Sequence, residues 1–475
     1  MRMPVTAALT AALVPLVAAA PALAATGDYT IDGRTLGLAW ILPFAGILLS
    51  IALMPLLTPK LWHHHFGKVA LFWAAAFLAP FALIQGPGLA AHELLHTLLL
   101  DYIPFIILIF TLFVVSGGIL ISGNLIGTPN TNAGILAFGT AAASLVGTTG
   151  ASMLLIRPLL RANQDRKRKV HIYVFFIFLV ANIGGSLTPL GDPPLFMGYL
   201  QGVDFGWTVQ HMFAPMLIAS SILLVLFYVI DTIAWRRDGL PMPETESRQV
   251  RIQGTHNLLY LAGVVGTVLA TGAWKTDLGL TVWHIFLPLD GLIRDAALIA
   301  IAFLSWKTTR QSLRVENAFT WTPIQEVAIL FLSIFITMIP ALAILRVGTD
   351  GSLAFLAEMV TRPDGTPNAA AYFWLTGSLS SFLDNAPTYL VFFNLAGGDA
   401  QTLMGPMQTV LVAISAGAVF MGANTYIGNA PNFMVKSICE EQGIKMPSFF
   451  GYMAWSVLIL GPILILLTAL FFNGR

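Results

Sequence analysis

The sequence predicts an all-α polytopic membrane protein built as an inverted repeat, with two re-entrant hairpins and two discontinuous transmembrane helices. Three observations carry this prediction. The 475-residue chain is 57% hydrophobic and only 10% charged, with a mean hydropathy of +0.79, whereas a soluble domain carries roughly 25% charged residues. Apolar runs long enough for a hydrocarbon core, which needs about 20 helical residues, recur along the whole chain. Two stretches about 237 positions apart are distorted copies of each other, Asn182 to Pro194 and Gly422 to Asn432. Each puts Gly, Pro, Asn or Asp inside an apolar segment. Helix breaks at membrane depth persist only where they line a protein cavity, and paired breaks in two halves of a chain mark a transporter binding site.

Residues 1–24 read as a signal peptide. Arg2 supplies the positive start, Val5 to Ala20 is apolar, and Ala22-Leu23-Ala24 is a small-x-small cleavage site. A short polar tail, Thr26 to Thr35, then lies outside the cell. Spans are expected near 37–57, 69–85, 98–121, 171–200, 211–234, 256–273, 283–305, 322–346, 406–438 and 449–472. Short cytoplasmic loops collect Lys and Arg. Loop 58–68 carries Lys60 and Lys68, and loop 157–170 carries Arg157, Arg161, Arg166, Lys167, Arg168 and Lys169. Loop 235–254 carries Arg236, Arg237, Arg248 and Arg251, and loop 306–321 carries Lys307, Arg310 and Arg314. All four belong inside.

Three apolar stretches separate the first two of these loops. Three full crossings would put 161–169 outside, so 133–156 is expected to be a re-entrant hairpin with its tip at Gly147 to Ser152. By the same count 371–393 is a second hairpin, opening outward, with its tip at Ser378 to Thr388, if Lys445 is to lie inside. The chain then divides into a first helix (37–57), a first repeat (69–234, hairpin 133–156, broken helix 171–200), a connector with one span (235–282), and a second repeat (283–472, hairpin 371–393, broken helix 406–438).

An ionisable side chain inside an apolar span usually serves an ion or proton path. Asp384, in the second hairpin tip beside Asn385, is the first candidate, and Ser380, Ser381 and Thr388 can complete an oxygen shell for a hard cation such as Na⁺. A carboxylate that accepts either Na⁺ or H⁺ exchanges them by competition. The plainer role for Asp384 is a helix cap. Asp192, in Gly191-Asp192-Pro193-Pro194, is the second candidate, and Asp before Pro is also good capping chemistry. Asn182, Ser186 and Thr188 support it, or bond between helices. Asn424, Thr425, Asn429 and Asn432 at the second break, and Thr148, Thr149 and Ser152 at the first hairpin, offer neutral ligands. Arg157 could meet an anion, but reads more simply as an interface anchor. His92-Glu93-Leu94-Leu95-His96 matches the H-E-x-x-H zinc helix, and Asp290 could supply a third ligand, which would make an intramembrane zinc protease. A protease has no need of paired hairpins and breaks. His63-His64-His65 reads as an interfacial loop. The lone Cys439 rules out a disulfide framework or a multi-Cys metal site, and the net charge of +1 gives no reason to expect nucleic acid.

At these motifs the chain resembles the ion transporter superfamily, and within it the putative citrate-transport group often labelled sodium:proton antiporters. The resemblance rests on Gly147 to Ser152 with Arg157-Pro158, on Asn182 to Gly185 and Gly191 to Pro194, and on Gly428 to Met434. The run Phe382 to Pro387 is similar to the Asp-Asn-x-Pro hairpin of NhaD-type antiporters. The resemblance covers about 37–472 and implies alternating access and a homodimer. The Ser-Asn-Thr hairpin tips of the superfamily's carboxylate carriers are absent, while Asp192 and Asp384 favour cation/proton exchange. The expectation is a Na⁺/H⁺ antiporter of a bacterial inner membrane, with no cofactor, membrane lipid as its surroundings and Na⁺ and H⁺ as transported ligands. A sodium- or proton-coupled carrier of citrate or another di- or tricarboxylate is the alternative.

Overall fold

A computed structural model describes residues 31–123, 125–239 and 250–473; the expected signal peptide lies outside the described residues. The protein is almost entirely helical. Among the described residues, eight helices are long and apolar enough to cross a membrane. Their outer faces carry exposed Leu83, Leu259, Phe450 and Leu458, as lipid contact requires, since lipid tails are as apolar as these side chains.

Most expected spans fall on helices, with extensions. The helix Pro59–Gln85 begins well before position 69, and Phe205–Asp238 runs the full 34 residues between its flanking loops. Two expectations are corrected. The span set at 98–121 starts at Pro87 instead and ends at Ser116. The His92-Glu93 segment is therefore part of one long helix rather than an interfacial start, and a π-helical turn at Thr97–Tyr102 marks its middle. Leu120–Gly123 is a strand paired antiparallel with Val250–Gln253. The span set at 283–305 is a helix only from Leu289 to Thr308. Before it, Gly279–Val282 and Ile285–Pro288 form a β-hairpin, with Trp283 and His284 at φ 45° and 66° in the turn. Two consecutive positive φ values are the turn that matches strand twist. Pro288 then starts the helix.

Both expected hairpins are interrupted helices. Pro129–Val146 and Thr148–Ala162 are separated by Gly147 at φ 79°, and Ala369–Phe382 and Asn385–Leu395 by Leu383 and Asp384. The tips are shorter than expected, because helix resumes at Thr148 and at Asn385. Both broken spans are broken. Val170–Leu179, a 3-10 turn at Ile183–Leu187 and Pro193–Leu200 make the first. Gln408–Met421, a 3-10 turn at Gly422–Asn424 and Ala430–Glu441 make the second. His171 through Leu179 and Val410 through Met421 are all buried. The interrupted backbone is thus surrounded by protein, where freed amides and carbonyls find partners.

Packing crosses between the halves. The second helix of the first hairpin lies against Ala430–Glu441 and Ile103–Ser116, and that of the second hairpin lies against Pro193–Leu200 and Thr322–Arg346. One end of the first half is pinned by a buried ionic cluster. Asp231 Oδ1 accepts from Arg166 Nη2 at 2.6 Å and from His171 Nε2 at 2.8 Å, and Asp231 Oδ2 accepts from Asn132 Nδ2 at 2.9 Å. Arg166, in the basic loop 157–170 expected on the cytoplasmic side, is only 3% exposed.

Candidate functional site

The two breaks are built by the same local chemistry. Thr188 Oγ1 donates to the Ser144 carbonyl, and Thr425 Oγ1 donates to the Ser381 carbonyl. The amides of Leu190 and Ile427 each donate to those Thr hydroxyls at 3.2 Å. Ser144 Oγ donates to Gly184 O at 2.5 Å, and Ser381 Oγ to Met421 O at 3.0 Å. A Cβ on Gly191 would sit 2.1 Å from Gly185 O, and one on Gly428 2.6 Å from Gly422 O, so only glycine fits either crossing. Every one of these pairs is related by the same offset of 237 positions, which also relates Thr148 to Asn385 and Asp192 to Asn429. The 237-position correspondence therefore extends from the breaks into the hairpins that clamp them.

Asp192 is the meeting point. It is 1% exposed. Its Oδ1 accepts from Thr148 Oγ1 at 2.8 Å and Asn429 Nδ2 at 3.2 Å, and its Oδ2 accepts from Asn385 Nδ2. One donor comes from each hairpin and one from the opposite break. Around it, Asn182 Nδ2 donates to Asn432 Oδ1 at 2.7 Å, Asn429 Nδ2 donates to Asn182 Oδ1 at 3.2 Å, and Asn432 Nδ2 donates to the carbonyls of Gly422 and Thr425 at 2.8 and 2.9 Å. Among the residues expected at the site, Asn385 Oδ1 and Ser152 Oγ are buried without a hydrogen-bond partner. Such orphans in a native site ask for a ligand or ion, and Asn385 Oδ1 belongs to the amide whose nitrogen already holds the Asp192 carboxylate.

Of the two aspartates, the structure makes only Asp384 a side-chain cap. Asp384 caps its helix, accepting from Ala386 N at 3.1 Å. Asp192, although it precedes Pro193, makes no side-chain cap bond. Asp384 still faces the cavity and is half-buried. Ser380 Oγ donates to Ala418 O at 2.6 Å, Ser186 Oγ to Ile183 O at 2.8 Å and Thr388 Oγ1 to Asp384 O at 2.9 Å. These hydroxyls, with Ser381, satisfy backbone carbonyls, and Asn424 Nδ2 holds Ser381 Oγ at 2.9 Å. Thr149 lines the cavity. Ser144 was not among the expected residues, although its counterpart Ser381 was; extending the 237-position offset into the hairpins would have found it.

A cavity of about 580 Å³ ends on Gly147, Thr148, Asp192, Asp384 and Asn429 and reaches Trp62, His63 and Glu326. Among the described residues that line it, three are carboxylates (Asp192, Asp384 and Glu326) and none is Lys or Arg. Arg157 is not part of the wall. Four helices start at the site, at Thr148, Pro193, Asn385 and Ala430. His92 and His96 stand with ring centroids 6.4 Å apart, Asp290 Oδ2 pairs with Lys275 Nζ at 3.6 Å, and no group of three metal-ligating His, Cys, Asp or Glu side chains occurs among the described residues.

A comparison with curated proteins finds no match. Residues 33–472 match the family described as putative citrate transport. That stretch holds both hairpins, both broken helices and every residue of the site, and the chain belongs to the putative citrate transport family.

Proposed function

We propose that this multi-pass membrane transport protein exchanges Na⁺ for protons across a bacterial inner membrane by alternating access between two inverted repeats. The observation that carries the reading is the cavity wall. Three carboxylates line it without a Lys or Arg, and a cleft lined by one sign of charge concentrates the opposite ion. Asp192 is the exchange group. Its carboxylate can take a proton, or bind a hard cation with oxygen neighbours such as Asn385 Oδ1 and Thr148 Oγ1. Asp384 lies on the same wall and adds charge. A homodimer, as in related carriers of this architecture, belongs to the same reading.

One observation favours a second reading, a cation-coupled carrier of citrate or a similar carboxylate. The N-termini of four helices meet at the site, and helix N-termini carry partial positive charge that suits a carboxylate group. A fluorescent pH gradient in everted vesicles separates the two. Sodium chloride added to vesicles with an established gradient should dissipate it under the first reading. If citrate is taken up and sodium moves no protons, the second reading replaces the first.

A further inference from the structure

Beyond the Asp192 centre, the cavity holds one further acidic side chain on a different part of the fold. Glu326 is in the helix Thr322–Arg346, and its Oε1 accepts from Trp62 Nε1 at 3.3 Å. Trp62 is in Pro59–Gln85, is 6% exposed, and belongs to a helix packed along Thr322–Arg346. Neither helix carries a hairpin or a break. Asp192 and Asp384, by contrast, sit on the interrupted elements. The same cavity therefore has a carboxylate on each of two walls, one built of broken elements and one of continuous helices.

The position of Glu326 is also particular along the cavity. It shares its end of the wall with Trp62, exposed His63 and Pro59, at the start of the helix Pro59–Gln85, the end that the positive charge of Lys60 and Lys68 assigns to the cytoplasmic face. The indole bond fixes the carboxylate against one helix, so the charge is held at the mouth rather than left to swing into water. Among the described residues lining that end, the other titratable side chain is His63. A fixed negative charge there raises the local concentration of cations before they reach Asp192.

We infer that Glu326, held by Trp62, is the cytoplasmic capture carboxylate of the cavity, a site that gathers the monovalent cation from the cytoplasm and hands it to Asp192. This rests on the cation-exchange reading above. The role is one of capture, so it should appear in half-saturation and not in the maximal rate. A purely structural Trp62–Glu326 staple would instead lower protein yield and maximal rate together.

Everted vesicles expose the cytoplasmic face to the medium, so sodium titrations in them read this step directly. In Glu326→Gln vesicles the sodium concentration for half-maximal dissipation should rise on the order of fivefold, the scale of losing one partly screened charge contact, with the maximal signal retained. Glu326→Asp should restore most of the affinity. Trp62→Phe should shift it the same way by a smaller factor. Raising ionic strength with choline chloride should shrink the difference between wild type and Glu326→Gln, because screening weakens charge focusing. An unchanged half-saturation in Glu326→Gln overturns the inference, as does a loss of maximal signal that Glu326→Asp fails to rescue. If sodium evokes no response in the wild type, the exchange reading itself falls and takes this with it. A sodium response that needs Asp192 and ignores Glu326 overturns this inference alone.

Discussion

Two aspartates in one cavity are held by different bonds, and the difference predicts different phenotypes. Asp192 receives three side-chain donors from two hairpins and the opposite break. Asp384 receives a backbone amide of its own helix. Asp192→Asn removes the one buried carboxylate on which all four motifs converge, and the sodium-driven proton signal in vesicles should vanish. Asp384→Asn keeps an N-cap, since Asn caps as well as Asp, and should leave a reduced but measurable signal. Asp384→Ala should in addition lower stability in detergent by about 1 kcal/mol, the usual cost of a lost cap, read from a thermal or chemical unfolding series. Equal loss of signal in Asp192→Asn and Asp384→Asn would mean that both carboxylates ligate. At this scale, motif reading picks out two aspartates that line one cavity. It does not say which aspartate caps its helix, because both precede helix starts and only the direction of each side chain decides. Ser144 escaped for a related reason. A lone Ser in Ala-rich helix looks like any small helix-packing residue until its partner Thr188 is seen across the fold.

The elements themselves were legible where topology and charge conflicted. Six basic residues between Arg157 and Lys169 forced the turn that the structure places at Gly147, and a charge-based count needs no knowledge of packing. The missed elements are those whose local sequence is ambiguous. Leu280–Val282 and Ile285–Leu287 are short apolar runs that fit helix or strand equally, and a Trp-His turn lacks the Gly or Asn that normally announces a hairpin. The burial of Arg166 was likewise not legible in its basic loop, because its partner Asp231 is 65 positions away in the helix Phe205–Asp238. That cluster makes a firm element-scale prediction. Arg166 and Asp231 are 3% and 0% exposed and 2.6 Å apart, so Asp231→Ala leaves a buried guanidinium whose remaining carboxylate is Asp238, at 3.8 Å. Breaking such a pair costs about 3–5 kcal/mol. The variant should unfold at markedly lower temperature or fail to accumulate. The double change Arg166→Met with Asp231→Leu should recover much of the loss, because apolar replacement of a whole buried pair is often neutral. No recovery in the double variant would show that Asn132 and His171 depend on the ionic pair for their own positions.

At the scale of the whole molecule, the offset of 237 positions ties the hairpins to the breaks, and the packing crosses from one half to the other. A ligand at the crossing touches both halves at once, so its binding should stabilise the entire fold rather than one element. The arithmetic is direct. A ligand at about a hundred times its dissociation constant adds about 2.7 kcal/mol to unfolding when it binds the folded state alone. Purified protein in detergent, with choline chloride holding ionic strength constant, should therefore melt several degrees higher as sodium replaces choline. The gain should grow with the logarithm of sodium concentration once the site is filled, and Asp192→Asn should show no gain at all. Lower pH should diminish the sodium effect in the wild type, since a proton and a cation compete for one carboxylate, and both should be absent from the Asp192→Asn curve. Citrate offered in place of sodium distinguishes the remaining case. A melting shift with citrate and none with sodium would mean that the four helix N-termini, and not the carboxylates, dominate the potential in the cavity, and the chain would then be a carboxylate carrier in a site whose acidic groups serve the coupling ion.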